Sequence, residues 1–245
     1  MHFTIKVADR IIAIDSRYDY IKEYCKGYCV SDIEADMHIS VTEQEIEAER
    51  VMEEGYTFSS GYLETLAVLR KIGEQLAEAN QILFHGVVIS YDREDGYLFT
   101  AASGTGKSTH ARLWKKYLKD AVEVVNGDKP IIAVENGQAI AYGTPWAGKE
   151  GWQKNRSVRL KGICIIERGL KNEIYRVNPL QYFDTLFRQI HIPRDAEAAG
   201  KTLELFDALM QAVPLYVLKC DISEEAVKCS YETLTGLSYE RNKQE

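Results

Sequence analysis

The chain lacks any apolar run that approaches membrane-spanning length, so no helix is expected to cross a bilayer. It is also short of positive charge. Its 30 Lys and Arg stand against 37 Asp and Glu, a net charge of −7, and neither a nucleic-acid backbone nor an anionic membrane finds the basic footprint it needs. Cysteine is sparse: the five are odd in number and scattered, which argues against a disulfide framework and for reduced thiols in a cytoplasm. Cys25 and Cys29 lie close, but no second pair or histidine cluster completes a zinc site, so they read as helix-packing thiols. The opening residues, Met1 to Lys6, have neither the charged nor the apolar region of a secretory signal. There is no internal repeat and no low-complexity linker. What remains is a globular chain of 245 residues, 45% hydrophobic, enough for one large domain or two modest ones.

The densest chemical signal is Thr100 to His110, a glycine-rich turn closed by Gly106-Lys107-Ser108-Thr109. The apolar strand Tyr97-Leu98-Phe99 runs into it, and a helical pattern with Leu113, Trp114, Tyr117 and Leu118 runs out. That context turns a motif match into a phosphate-binding expectation. Gly104 and Gly106 allow successive N–H groups to converge on one anion, and the next helix adds its own free N–H groups and dipole. Lys107 is expected at the β- and γ-phosphates, and the Ser108 hydroxyl on Mg²⁺. Ala101 stands where the general pattern has glycine, while Ser103 to Thr109 is intact. A ligand-free strand-to-helix turn is the competing reading, but it needs neither the lysine nor the hydroxyl pair.

Residues 1–80 carry no comparable constellation and read as an accessory α+β region. Phe3, Ile5 and Val7 alternate, a short Ala8-Asp9-Arg10 turn comes next, and Ile11, Ile12 and Ile14 complete a hairpin. Tyr18 to Tyr28 suggests a short helix or aromatic connector, and Met37, Ile39 and Val41 a strand. Thr42 to Glu54 is an acidic, solvated stretch. Leu63, Leu66, Leu69, Ile72 and Leu76 then recur at helical spacing behind the cap candidates Ser59 and Ser60.

Residues 81–245 read as the core. Ile82 to Ser90 is an apolar strand interrupted at His85-Gly86, and the turn before Tyr97 is too short for a crossover helix. The two strands must therefore be antiparallel neighbours, which predicts a mixed, largely antiparallel sheet carrying the loop. Val122 to Val125 is a strand ending at Asn126-Gly127-Asp128, with Lys129 to Val134 as its continuation and a hairpin at Glu135-Asn136-Gly137. A carboxylate at a strand end some twenty residues past a phosphate loop suits a Mg²⁺-water ligand or general base, so Asp128 is the first acidic candidate; a turn aspartate capping local N–H groups is the alternative. Ile163 to Glu167 and Ile174 to Val177 suggest a hairpin around Arg168, read more readily as an exposed turn arginine than as a nucleotide contact. Asn178-Pro179 caps a helix, a second helix spans Thr202 to Ala212, a strand runs from Leu215 to Leu218, and a last helix carries Val227 and Tyr231. Tyr239 to Glu245 reads as a frayed charged tail.

The set His85-Gly86, Ala-x-Ser-Gly-Thr-Gly-Lys-Ser-Thr and strand-Asn-Gly-Asp resembles the HPr kinase/phosphorylase catalytic domain and the nucleotide site of phosphoenolpyruvate carboxykinases. Ser103, Gly104, Gly106, Lys107 and Ser108 match the shared loop. Gly127 stands where the family has the first acid of a pair, and Asp128 is the second. His85 matches a histidine placed near the transferred phosphate, with a hydrogen-bonded core histidine as its other reading. Arg159, Gly162 and Ile163 match a stretch of the kinase family, and Lys149, Lys154, Arg156, Arg159 and Lys161 form a local basic cluster, either an anion holder or a solvated loop. The resemblance covers roughly residues 82 to 220.

It implies an α/β (α+β) fold of that type and a cytoplasmic, ATP- (or GTP-) and Mg-dependent kinase acting on a serine-type hydroxyl of a protein, peptide or small molecule. Relatives are oligomeric, so self-association is implied; no nucleic-acid or membrane partner is. The implied site is Asp128, His85, Lys107 and Arg159 for chemistry, Ser103, Gly104, Thr105, Gly106, Lys107, Ser108 and Thr109 for the nucleotide, and Ser108 with Asp128 for the metal. A carboxykinase-like decarboxylating enzyme and a nucleotide-sensing module without transfer are the competing functions.

Overall fold

A computed structural model describes residues 1–31, 33–52 and 57–239. Glu53 and Glu54 of the acidic stretch, and the charged tail after Tyr239, lie outside the described residues.

The first sheet is built from β1 (His2–Val7), β2 (Arg10–Asp15), β3 (Cys29–Val30) and β4 (Met37–Ser40), in the order β3-β1-β2-β4. Ala8 and Asp9 turn the β1–β2 hairpin with φ of 51° and 58°, the left-handed pair that matches strand twist. The aromatic connector forms one short helix, α1 (Tyr20–Tyr24), and the acidic stretch begins a second, α2 (Glu43–Met52). Helix α3 (Ser60–Gln75) starts where the Ser59 hydroxyl accepts the Tyr62 N–H at 3.3 Å. It lays Leu63, Val68 and Ile72 onto the sheet's Ile5, Ile12 and Ile39.

The second sheet has nine strands: β5 (Gln81–Leu83), β6 (Val87–Tyr91), β7 (Asp95–Thr100), β8 (Val122–Asn126), β9 (Ile131–Glu135), β10 (Gln138–Tyr142), β11 (Ser157–Arg168), β12 (Glu173–Arg176) and β13 (Leu215–Cys220). Its main path is β5-β9-β10-β11-β7-β6-β8. β13 lies beside the later residues of β11, and β12 beside β13. β6 and β7 are antiparallel neighbours, as their short turn requires. β7–β11 and β11–β13 are parallel and the other pairs antiparallel, so the sheet is mixed and the fold α+β. Helices α4 (Lys107–Leu118) and α7 (Glu224–Thr235) cover one face, with Trp114, Phe99 and Tyr231 in their shared core. On the other face Leu205, Phe206 and Leu209 of α6 (Ala196–Ala212) pack with Leu186 of α5 (Phe183–Phe187).

Three sequence expectations are corrected. Ile82 to Ser90 is two strands at different places in the sheet, joined through His85-Gly86. Lys129 to Val134 does not continue β8: Pro130 has no N–H for a ladder, the Lys129 N–H goes to the Trp146 carbonyl at 3.1 Å, and β9 pairs with β10 and β5. β11 and β12 are not a hairpin. The apolar β13, with Leu215, Val217 and Leu218 buried, takes the central position, and the exposed β12 is left at the edge.

Candidate functional site

The site is built where β7, β8 and β11 end and β6 begins. β7 ends at Thr100, and the glycine loop connects it to α4. Gly104 and Gly106 have φ of +76° and +133°, conformations that L side chains rarely adopt. No heavy atom lies within 4 Å of where a Cβ would stand on either, so these glycines are required by backbone angle and not by crowding. Gly106 is the N-cap of α4 with no capping side chain, so the first N–H groups of the helix face the loop. Ser103 and Gly104 are exposed, and Ser108 and Thr109 are half-buried in the first helical turn.

Lys107 is buried, 7% exposed, beneath this loop. Its ammonium donates to the Ala101 carbonyl at 2.9 Å and more weakly to Ala102 at 3.5 Å. Burial pulls its pKa down, while the Asp128 charge pulls it up and the Lys129 charge lowers it further. Lysine and carboxylate thus share one electrostatic neighbourhood.

Asp128 sits on a braced turn. Its N–H donates to the Asn126 side-chain oxygen at 3.0 Å. The Asn126 amide nitrogen donates to the Thr144 carbonyl at 3.0 Å, and the Thr144 hydroxyl donates to the Lys129 carbonyl at 2.7 Å. The Asp128 carbonyl accepts the Gly86 N–H at 2.9 Å, which ties this turn to the start of β6. The carboxylate meets His85 Nε2 at 3.2 Å and Lys129 Nζ at 3.4 Å. Burial pushes its pKa up, but the His85 hydrogen bond and the Lys129 charge outweigh that and hold it below the usual carboxylate value. His85 is itself fixed: its N–H donates to the Gln189 carbonyl at 2.6 Å and its carbonyl accepts the Thr100 hydroxyl at 3.0 Å.

The glycine that replaces a first acid has a steric reason. A Cβ on Gly127 would stand 2.6 Å from the Ala147 carbonyl oxygen and 3.4 Å from that of Trp152. No side chain fits there unless the backbone moves.

His85 meets Asp128, and the Thr100 hydroxyl ties His85 to the start of the loop that encloses Lys107. Arg159 does not join them. It pairs with Asp95 at the start of β7, whereas Thr100, at the loop end, pairs with Ile165. That leaves roughly 16 Å of strand between them. Three other cations of the predicted cluster are paired with carboxylates away from the loop: Lys154 and Arg156 meet Glu123 at 3.3 and 2.9 Å, and Lys161 meets Asp95 at 3.5 Å.

Two cations outside the predicted site lie at it instead. Lys129 reads as strand in the sequence, although its place directly after Asp128 is a usable signal. Arg168, read as an exposed turn residue, donates to the Gly104 carbonyl at 2.7 Å and the Thr105 carbonyl at 3.2 Å. Nothing local could reveal this, because 63 and 64 residues separate the partners. A cavity of about 360 Å³ opens beside the loop between Thr109, Leu113, Arg168, Asp221 and Ile222. Among the described residues, no helix is long and apolar enough to cross a membrane, and no group of three or more His, Cys, Asp or Glu could hold a metal.

No protein-family model matches the chain, and no curated protein does. Among solved structures, the Hpr(Ser) kinase/phosphatase from Coxiella burnetii is similar over 66% of this chain and 96% of its own length, at 13% identity and a TM-score of 0.34. A likeness that distant bears on neither ligand nor activity, which rest on the side chains themselves.

Proposed function

We propose that the chain is an ATP- (or GTP-) and Mg²⁺-dependent phosphotransferase of HPr kinase-like type, moving the γ-phosphoryl group to a serine-type hydroxyl. One observation carries the reading: a glycine loop at a helix N-terminus encloses a buried lysine, and Thr100 at the start of that loop is hydrogen-bonded to His85, which together with Lys129 holds the Asp128 carboxylate. A structural turn has no use for that arrangement.

The loop N–H groups and α4 would receive the β- and γ-phosphates. Lys107 would exchange its contact with the Ala101 carbonyl for a phosphate oxygen and stabilise charge on the transferred group. The cavity beside Thr109 and Ile222 would take the nucleoside. Ser108 and Asp128 supply one hydroxyl and one carboxylate oxygen, hard donors of the kind Mg²⁺ takes together with phosphate oxygens, and the bound ion would neutralise phosphate charge. The acceptor oxygen forms a bond to the γ-phosphorus, the bond from that phosphorus to the β,γ-bridging oxygen breaks with its electron pair on the leaving nucleoside diphosphate, and the hydroxyl proton passes to Asp128. The low pKa of Asp128 makes it a weak base, so orienting the hydroxyl is the larger part of its task. His85 holds the carboxylate in place.

The test is label transfer from γ-labelled ATP with Mg²⁺ and an extract of the source cells, beside Lys107→Ala. Transfer that is lost in the variant supports the reading. Transfer that survives in it removes the loop from the chemistry. ATP binding with no transfer to any acceptor would instead favour a nucleotide-sensing module.

A further inference from the structure

His85 and Lys129 each present a second side to a separate cavity of about 290 Å³, whose walls include Phe84, Arg188, Gln189 and Ile190. Both residues touch the Asp128 carboxylate, so the cavity lies one side chain away from the group that would receive the acceptor proton. Its wall is held rigidly to the site: His85 N–H to the Gln189 carbonyl, His191 N–H to the Leu83 carbonyl at 3.0 Å, and a bridge between Phe84 and Ile190.

Two features point to a ligand. The cavity is cationic in an acidic protein: Arg70, Lys129 and Arg188 line it against one carboxylate, Glu49. Glu49 is committed to Arg70 by contacts of 2.6 and 3.0 Å, and Lys129 leans on Asp128, so Arg188 is left with no side-chain partner among the described residues. Independently, Gln189 is 8% exposed and its buried side-chain oxygen has no hydrogen-bond partner among the described residues, although its amide nitrogen donates to the Thr185 carbonyl. An orphaned acceptor of that kind costs free energy unless a donor reaches it.

We infer that this cavity is the acceptor subsite and that the acceptor is a small hydroxylated acid. Its anionic group would pair with Arg188, a donor group would satisfy Gln189, and its hydroxyl would point past His85 toward Asp128. The volume lies just under the usual range for small-molecule sites, which suits a small metabolite. The inference rests on the phosphotransferase reading above.

The experiment uses the full chain in three forms: wild type, Arg188→Ala and Gln189→Leu. γ-Labelled ATP and Mg²⁺ are given with the low-molecular-weight and macromolecular fractions of a cell extract, then with glycerate and L-serine beside glycerol and serinamide, which lack the carboxylate. Binding of a fluorescent ATP analogue is followed in parallel. The expected result is label in a small anion, with Arg188→Ala raising the acceptor KM at least tenfold while ATP-analogue affinity stays within twofold; Gln189→Leu moves KM in the same direction. Arg188 is exposed, so its variant is expected to fold even if the buried Gln189 variant is compromised. Label confined to the macromolecular fraction, or small-molecule transfer with an unchanged acceptor KM in Arg188→Ala, overturns the subsite and leaves phosphoryl transfer standing. Absence of label in every fraction overturns both.

Discussion

Asp128 and Gly127 make opposite demands on their side chains. Asp128 is held ionised by His85 and Lys129. Asp128→Asn keeps the shape and removes the proton acceptor. Transfer should fall by about 10²–10⁴-fold as the acceptor hydroxyl loses the group that orients it and takes its proton, while ATP-analogue binding, followed without Mg²⁺ because Asp128 is also a proposed metal ligand, persists. Rapid-quench measurement of the transfer rate beside equilibrium binding checks this. Gly127→Asp, the change that would restore a paired acid, should not enhance activity. Its Cβ meets the Ala147 carbonyl, and forcing the turn apart should cost about 1–3 kcal/mol, read as a lower urea midpoint. From sequence alone Gly127 looked like a missing catalytic group; the packing makes it a steric requirement. Lys107, Ser108 and Asp128 can be named as candidates from sequence because each belongs to a short local pattern. Arg159 misled because similarity of spacing says nothing about which end of a long strand a residue occupies.

At the scale of elements, the glycine loop is held from both sides. Lys107 ties it from beneath, and Arg168, at the end of β11, holds the carbonyls of Gly104 and Thr105. Arg168→Ala should leave those carbonyls to water and weaken ATP-analogue binding by about tenfold, the equivalent of one charge-assisted hydrogen bond. Arg168→Lys should recover only part of the loss, because a single ammonium does not reproduce the guanidinium fork. Titration with the fluorescent analogue separates the three proteins. Helix α4 carries its own pH sensitivity. His110 is buried, with Nε2 3.1 Å from the Trp114 indole nitrogen and 3.0 Å from the Ser230 hydroxyl, and burial pushes its pKa down to about 3. Unfolded, the same imidazole titrates near its ordinary value of about 6.5. Between those values the unfolded chain binds the extra proton, so this group's effect is lost stability as pH falls, by at most about 1.4 kcal/mol per pH unit. Urea midpoints measured from pH 7 to pH 4 should show a shallower decline in His110→Gln than in the parent.

Across the whole molecule, the two sheets share a core. Leu83, Ile131 and Trp146 of the later sequence pack in one cluster with Ile5, Leu63 and Ile72 of the earlier. The Trp146 indole donates to the Thr65 carbonyl at 2.8 Å, and the Trp146 carbonyl receives the Lys129 N–H beside the site. We therefore propose that a boundary near residue 80 divides sheets and not independently folding units. Residues 81–239 expressed alone would uncover Leu83, Ile131 and Trp146 and should aggregate or bind a hydrophobic dye, which size-exclusion chromatography and dye fluorescence would reveal. Trp146→Ala in the full chain should cost about 3–5 kcal/mol and should slow transfer as well, since it loosens the turn that carries Asp128 and Lys129.

By itself the sequence determined the features that depend on neighbours along the chain. The strand–loop–helix unit, the β1–β2 hairpin, the Ser59 cap and the antiparallel pairing of β6 with β7 rest on spacing, turn length and local backbone preference. Only the tertiary structure decided which distant groups meet. β13 separates β11 from β12 because the more apolar strand gains most from the centre. His85 reaches Asp128 because the chain passes from one sheet position to another at Gly86. Arg168 finds the loop across more than sixty residues. Those choices depend on total burial and on pairing every backbone group at once, and no window of sequence contains that sum.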